Sequence, residues 1–134
     1  MVNRKILIDT SIVIEYVRKK NKAKTILYEL FKSYDELFIS SITVFEIFVG
    51  VNIKNVNLIN QLFEGFRILP FDLTIAKIAS QVYNELKSQN KIIEFSPDIS
   101  GFIAATAIGN SLSVVTLNTK DFERIPNLEI LKSY

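Results

Sequence analysis

The sequence predicts one α/β domain over residues 1–134, with parallel strands covered by helices on both faces. Three observations predict it. Short unbroken apolar runs, such as Ile6-Leu7-Ile8 and Val114-Val115, suit strands buried on both faces. Stretches whose apolar residues recur at helical spacing alternate with those runs. No Gly- or Pro-rich linker, low-complexity segment or internal repeat divides the 134 residues, a length of about one domain.

Each element follows from its local pattern. Residues 5–8 read as a first strand. Asp9-Thr10-Ser11 supplies N-cap residue types, and residues 11–18 read as a helix. Residues 22–33 read as a second helix, with Ala23, Ile26, Leu27, Leu30 and Phe31 on one face. A second strand is expected over 36–39. Ser40-Ser41 then caps a helix with apolar Ile42, Phe45, Ile47, Phe48, Val49 and Val51. Residues 55–65 form a further helix, and 67–69 a brief strand stopped by Pro70. A long amphipathic helix is expected over 72–89, through Ile75, Ala76, Ala79, Val82, Tyr83 and Leu86. Ser96-Pro97-Asp98 breaks this pattern and opens a helix over 99–110. That helix is apolar nearly all round, so it belongs in the interior. Strands over 113–116 and 128–131 complete the reading.

Composition narrows the chemistry. There is no Cys and no His, which excludes disulfides, Cys- or His-based zinc sites, Cys nucleophiles and His bases. Sixteen basic against 14 acidic residues leave a net charge of +2, so no strongly basic arm or acidic tail is present. Carboxylate and hydroxyl oxygens remain, and these suit hard cations such as Mg²⁺ or Mn²⁺. The run Ile6-Leu7-Ile8 stops at Asp9, too short for a secretory signal, and no stretch has the roughly 18 uncharged apolar residues of a spanning helix. A soluble, cytoplasmic protein is the expectation.

Four acids fall at special places. Asp9 directly follows the first strand, and Asp121 follows the Val114-Val115-Thr116 strand by a short loop. Asp98 opens the buried helix, and Glu46 is the only charge between Val44 and Val51. Ligands of open parallel sheets bind beyond the carboxyl ends of the strands, where these acids can meet. Like charges so placed repel, and a divalent cation removes that cost. Such an ion activates water and stabilises charge on a phosphate, which is the chemistry of phosphodiester hydrolysis. Each acid also has a plain structural reading. Asp9 and Asp98 suit helix caps, and Asp121 suits a turn. Glu46 is either on the solvated margin of its helix or partly buried at a cost. Glu15 reads as solvated.

At these residues the chain resembles a known family. Ile6-Leu7-Ile8-Asp9-Thr10-Ser11-Ile12-Val13-Ile14 is similar to the opening of PIN domains, particularly VapC toxins. The run from Ser41 to Gly50 resembles their second motif, a helix carrying Glu and ending in Gly. Ile103-Ala104-Ala105-Thr106-Ala107 resembles the third, and Val115-Thr116-Leu117-Asn118-Thr119-Lys120-Asp121-Phe122 the fourth. The motifs stand in family order over nearly the whole chain.

The resemblance implies a three-layer α/β/α fold with a five-stranded, mostly parallel sheet. It implies a Mg²⁺- or Mn²⁺-dependent ribonuclease, often a homodimer, commonly inhibited by a small antitoxin protein. Carried over by position, Asp9 and Glu46 are metal ligands, and Asp121 binds directly or through water. Asn118, with Thr116, orients the cluster, and Ser11 and Thr43 are nearby hydroxyls. The third motif departs from the pattern. The family's Asp usually sits three residues before the Ile of Ile-Ala-Ala, and here that position is Ser100. Asp98 reaching the metal, Ser100 as a weak ligand, and a degraded site all stay open, with Asp98 favoured. Lys120 and Arg124 are the expected contacts to the RNA backbone. Phe31, Tyr34, Phe38, Phe45, Phe48, Phe63 and Phe66 are expected mostly in the core, some of the middle ones facing an antitoxin helix or a second subunit. A PIN-like binding or assembly module that has lost its metal is the alternative. A receiver-type phospho-acceptor is set aside, because Thr10 rather than a second acid follows Asp9.

Overall fold

Four strands make one parallel sheet in the computed structural model, which describes residues 4–50, 53–89 and 99–132. The strands are β1 (Ile6–Ile8), β2 (Phe38–Ser40), β3 (Arg67–Leu69) and β4 (Ser113–Val115), in the order β3-β2-β1-β4. All pairings are parallel, with Leu7 opposite Phe38, Ile8 opposite Val115 and Ser40 opposite Leu69. The helices are α1 (Thr10–Arg18), α2 (Ile26–Ser33), α3 (Ser41–Gly50), α4 (Val56–Glu64), α5 (Leu73–Ser88), α6 (Ser100–Gly109) and α7 (Thr119–Glu123).

The pleat sorts the strand residues into two cores, because successive side chains point to opposite faces. Ile6, Ile8, Ile39 and Val115 pack on one side with Ile12, Leu27, Leu30, Ile47, Ile59 and Phe63 from α1 to α4. Leu7, Phe38 and Val114 pack on the other with Val82, Leu86, Ile103, Ala104 and Phe122 from α5 to α7. That split yields the three layers. The three residues of β1 are all fully buried. Each such side chain contributes roughly 1.5–3 kcal/mol by leaving water.

Side-chain caps set several boundaries. Asp9 caps α1, accepting from the Ser11 amide at 3.4 Å. The Ser40 hydroxyl accepts from the Ile42 amide at the start of α3, and Asp72 accepts from the Ile75 amide at the start of α5. The helix expected over 22–33 is broken. Lys22–Lys24 is a 3-10 turn, and Thr25 stands extended between it and α2, its hydroxyl capping the Tyr28 amide at 3.3 Å. Thr competes with the helix for its own backbone in this way. Glu15, expected in solvent, is half-buried and accepts from the Ile26 amide at 2.9 Å, so it serves the same helix start.

Two further expectations change. The sheet has four strands among the described residues, not five. The segment expected as a strand over 128–131 makes a single parallel bridge, Ile130 to Val114. Asn127 lies just before it at a φ of 66°, a left-handed turn that delivers the chain to the sheet edge for only that contact. Helix α7 was not foreseen; it is five residues long and anchored by Phe122, 1% exposed. The aromatic residues divide as expected into a buried majority and an exposed few: Phe45 and Phe48 are 62% and 39% exposed. The expected break at Ser96-Pro97-Asp98 lies outside the described residues. No helix among the described residues is long and apolar enough to cross a membrane.

Candidate metal centre

Sheet register builds the site. Because Ile8 pairs with Val115, the residues that follow them, Asp9 and Thr116, emerge side by side at the carboxyl ends of β1 and β4. The Asp9 amide donates to the Val115 carbonyl at 2.9 Å, locking that register one residue further. Asp9 is 4% exposed, and its Oδ2 accepts from the Ser11 hydroxyl and the Thr116 hydroxyl, each at 2.7 Å. Those hydroxyls are themselves held by backbone amides. Leu117 N donates to Ser11 Oγ at 3.0 Å, and Asn118 N donates to Thr116 Oγ1 at 2.9 Å. Each hydroxyl therefore accepts from the chain after β4 and donates to Asp9, an arrangement in which the bonds polarise one another.

Glu46 enters from α3. Thr10 Oγ1 stands 2.6 Å from Glu46 Oε1 and 2.9 Å from the hydroxyl of buried Thr43. A hydroxyl has one proton, and the carboxylate is its stronger acceptor. Burial lifts the Glu46 carboxyl above its ordinary pKa of 4.5; the Thr10 hydrogen bond opposes this, and the negative charge of Asp9 adds to it.

One cleft of about 500 Å³ collects most of the expected residues. Asp9, Ser11, Glu46, Ser100, Asn118 and Asp121 all line it. Asp121 stands exposed in α7. Ser100 is 9% exposed and accepts from Arg124 Nη2 at 3.3 Å. Thr43 and Thr116 lie behind the wall, bonded to Thr10 and Asp9. Asn118 contributes its backbone amide to the cluster. Lys120 is exposed on α7, whereas Arg124 is half-buried and donates from Nε to the Asp121 carbonyl at 2.8 Å. Asp98 lies outside the described residues. Thr10 is the site residue that sequence reasoning missed. The signal was the pair of hydroxyls in Asp9-Thr10-Ser11, of which only Ser11 was taken up.

The donor set suits a hard divalent cation. Every group is an oxygen, and the hydrogen bonds to the Asp9 carboxylate gather on Oδ2, leaving Oδ1 without one among the described residues. The charges of Asp9 and Glu46 oppose each other, which a cation relieves. Among the described residues no three acids stand close enough to hold an ion by themselves. Mg²⁺ ordinarily keeps several waters and takes one or two carboxylates, so two acids in a wet cleft satisfy it.

The PIN domain family model matches residues 6–128. The chain belongs to the PIN domain family. Among curated relatives, this PIN domain is 32% identical to Ribonuclease VapC of Rickettsia bellii over 134 residues, 94% of each chain. It is 33% identical to Toxin FitB of Neisseria gonorrhoeae, over 87% of this chain and 90% of that one. Among solved structures it resembles the DNA-bound VapBC of Salmonella typhimurium, with a TM-score of 0.82, 27% identity, and 96% and 97% of the two chains covered. The FitAcB structure of Neisseria gonorrhoeae matches with a TM-score of 0.73 and 30% identity, over 95% and 96%.

Proposed function

We propose that this PIN domain is a Mg²⁺- or Mn²⁺-dependent endoribonuclease and the toxin of a type II toxin–antitoxin pair of the VapBC kind. The observation that carries the reading is Asp9, fixed by two hydroxyls on one oxygen and lining, with Glu46, one cleft at the end of a parallel sheet. The names of the relatives, ribonucleases and toxins, support it.

Asp9 and Glu46 hold the cation, with Asp121 contributing directly or through water. Asp98 is a proposed fourth carboxylate. A divalent cation bound here supplies Lewis-acid activation of water and neutralises charge developing at phosphorus. The chain's own residues prepare that chemistry. Ser11 and Thr116 hold the Asp9 carboxylate in one rotamer, and the Thr10 hydroxyl orients Glu46 and opposes the rise of its pKa. Ser100 and Asn118 add neutral polar groups to the lining of the same cleft. Lys120, exposed beside Asp121, meets the RNA backbone as a point charge. Products carry 5′-phosphate and 3′-hydroxyl ends.

Partners follow the same reading: an RNA substrate, a small antitoxin protein and a second copy of the chain. Phe45, Phe48, Val49 and Leu58 form an exposed apolar face on α3 and α4 suited to a partner helix. The decisive experiment is cleavage of an RNA oligonucleotide by the purified protein with Mn²⁺ and with EDTA. Cleavage that needs Mn²⁺ and vanishes in Asp9→Asn supports the proposal. Mn²⁺-dependent cleavage unchanged by that substitution overturns it.

A second reading has its own observation. Ser100 stands where the family usually has Asp, and the described acids do not reach three around one point. A metal-poor binding module fits that. Titrating Mn²⁺ against thermal stability separates the two, because a genuine site raises the melting temperature by mass action.

A further inference from the structure

Among the described residues, the start of α6 has no side-chain cap of its own. Its N-cap position is Ile99, which offers no side-chain acceptor to the free amides of the first turn. Two residues from other elements hold this first turn, one as an acceptor and one as a donor. The Gly101 amide donates to the Tyr83 hydroxyl, supplied by α5. The Tyr83 ring lies so close that a Cβ on residue 101 would stand 2.5 Å from its Cζ, so any larger residue there requires the ring to move. From the opposite side comes Arg124, the residue that ends α7. Its Nε donates to the Asp121 carbonyl at 2.8 Å, and its Nη2 donates to the Ser100 hydroxyl at 3.3 Å.

We propose that Arg124 is a positioning residue that ties α7 to the first turn of α6, fixing Asp121 and Ser100 in the wall opposite Asp9. The guanidinium is planar, and two of its edges are committed to groups from two different helices. Ser100 and Asp121 line the same cleft as Asp9, so the tie bears directly on the lining of the site. Gripping the RNA backbone, the task expected of Arg124, is not the one these bonds serve; half-buried, it faces inward. Lysine has no such fork, so an equal charge at this position does not replace it.

This assignment rests on the metal-site reading above, and its test separates the two. Arg124→Ala, Arg124→Lys and Ser100→Ala are compared with wild type, alone and as the Arg124→Ala/Ser100→Ala pair. Three quantities are read: amide hydrogen exchange in residues 99–103 and 119–123, the Mn²⁺ concentration that half-saturates the thermal shift, and kcat and KM on an RNA oligonucleotide. Arg124→Ala is expected to speed exchange about tenfold or more in those two segments and not in β1. It is expected to weaken Mn²⁺ about threefold to tenfold and lower kcat, with KM changed less than twofold. Arg124→Lys resembles Arg124→Ala, and the double variant is no worse than Arg124→Ala. Unchanged exchange in both segments overturns the tie. A raised KM with a salt dependence of binding lowered by about one charge, and Mn²⁺ affinity intact, overturns it in favour of RNA backbone contact. If wild type takes up no Mn²⁺, the hydrolase reading falls, and hydrogen exchange alone still decides the tie.

Discussion

On one side of the cleft Asp9 is 4% exposed, with two hydroxyls and one amide on a single oxygen. On the other side Asp121 stands exposed on a five-residue helix, its side chain without a hydrogen bond among the described residues. The first wall inherits its order from the sheet. The register that pairs Ile8 with Val115 places Asp9 beside Thr116 with no further device. The second wall has no ladder behind it and relies on Phe122, buried in the core, and on the Arg124 fork. A preorganised ligand costs little to hold in place when it acts, whereas an exposed one must be ordered at that moment. On the proposed function, metal affinity and rate should depend chiefly on the Asp9 side, and the Asp121 side is where they could be improved.

The largest effect is expected from Asp9→Asn. It keeps the shape and removes the charge at the most firmly held of the proposed ligands, and cleavage in Mn²⁺ should fall more than about a hundredfold, beyond the range usual for groups that merely orient a ligand. Asp121→Asn should cost less. If the two variants lose activity equally in the same cleavage assay, the two walls are equivalent and the contrast drawn above is wrong.

Thr116→Val comes next. The change keeps volume but removes the donor to Asp9 Oδ2 and the acceptor of the Asn118 amide. Cleavage should drop roughly 10–100-fold. Urea unfolding should show a loss of about 1–3 kcal/mol, the cost of leaving buried partners unsatisfied. Stability unchanged within error would show that the hydroxyl relay does not hold the Asp9 wall.

Ser100→Asp acts on the weaker wall. It installs a carboxylate where PIN domains usually have one, and Mn²⁺ affinity should rise about threefold to tenfold, since cation affinity is tuned by ligand charge. The Arg124 guanidinium, 3.3 Å from the Ser100 hydroxyl, shares that new charge and holds the gain to the lower part of the range. Isothermal titration with Mn²⁺ reads it. No gain at all would mean that another carboxylate, Asp98 foremost, already fills the place.

The same contrast explains what was legible beforehand. Strands and their order of burial show in the sequence because Ile6-Leu7-Ile8 and Val114-Val115 can belong nowhere but a buried sheet. Asp9 and Glu46 were visible because each is the lone charge beside an apolar run. Thr10 was not, since a hydroxyl next to an acid reads equally well as a helix cap, and only the packing of α1 on α3 aims it at Glu46. Helix α7 was invisible because five residues give no periodicity to see; the long-range burial of Phe122 and the Arg124 fork hold it. Glu15 reads as solvent-facing until α2 is docked, when the Ile26 amide needs an acceptor. The fifth strand failed because the segment after the Asn127 turn meets β4 at a single bridge, with Glu129 and Leu131 bonded to Val114 on either side of Ile130.

The smallest effect tests the repulsion between the two ordered acids directly. Burial, and then the charge of Asp9, hold the Glu46 carboxyl above 4.5, while the Thr10 bond pulls it back. The folded protein thus binds this proton more tightly than the unfolded chain does. The stability this gives is fully present below the unfolded value of about 4.5 and is lost as pH rises through the higher folded value. Metal-free protein should therefore lose a small part of its melting temperature across that interval. Glu46→Gln, which still accepts from Thr10 but carries no charge, should lose none of it. Because Glu46 is only half-buried, solvent screening limits the gain at neutral pH to no more than about 2 °C. Addition of Mn²⁺ should invert the order, raising wild type above the variant, since the cation draws on the charge that the substitution removes. Scanning calorimetry from pH 4 to pH 8, with and without Mn²⁺, reads both signs. A metal-free Glu46→Gln that melts below wild type at neutral pH would show that Asp9 and Glu46 sit together comfortably without a cation, and the case for a metal between them would lose its electrostatic ground.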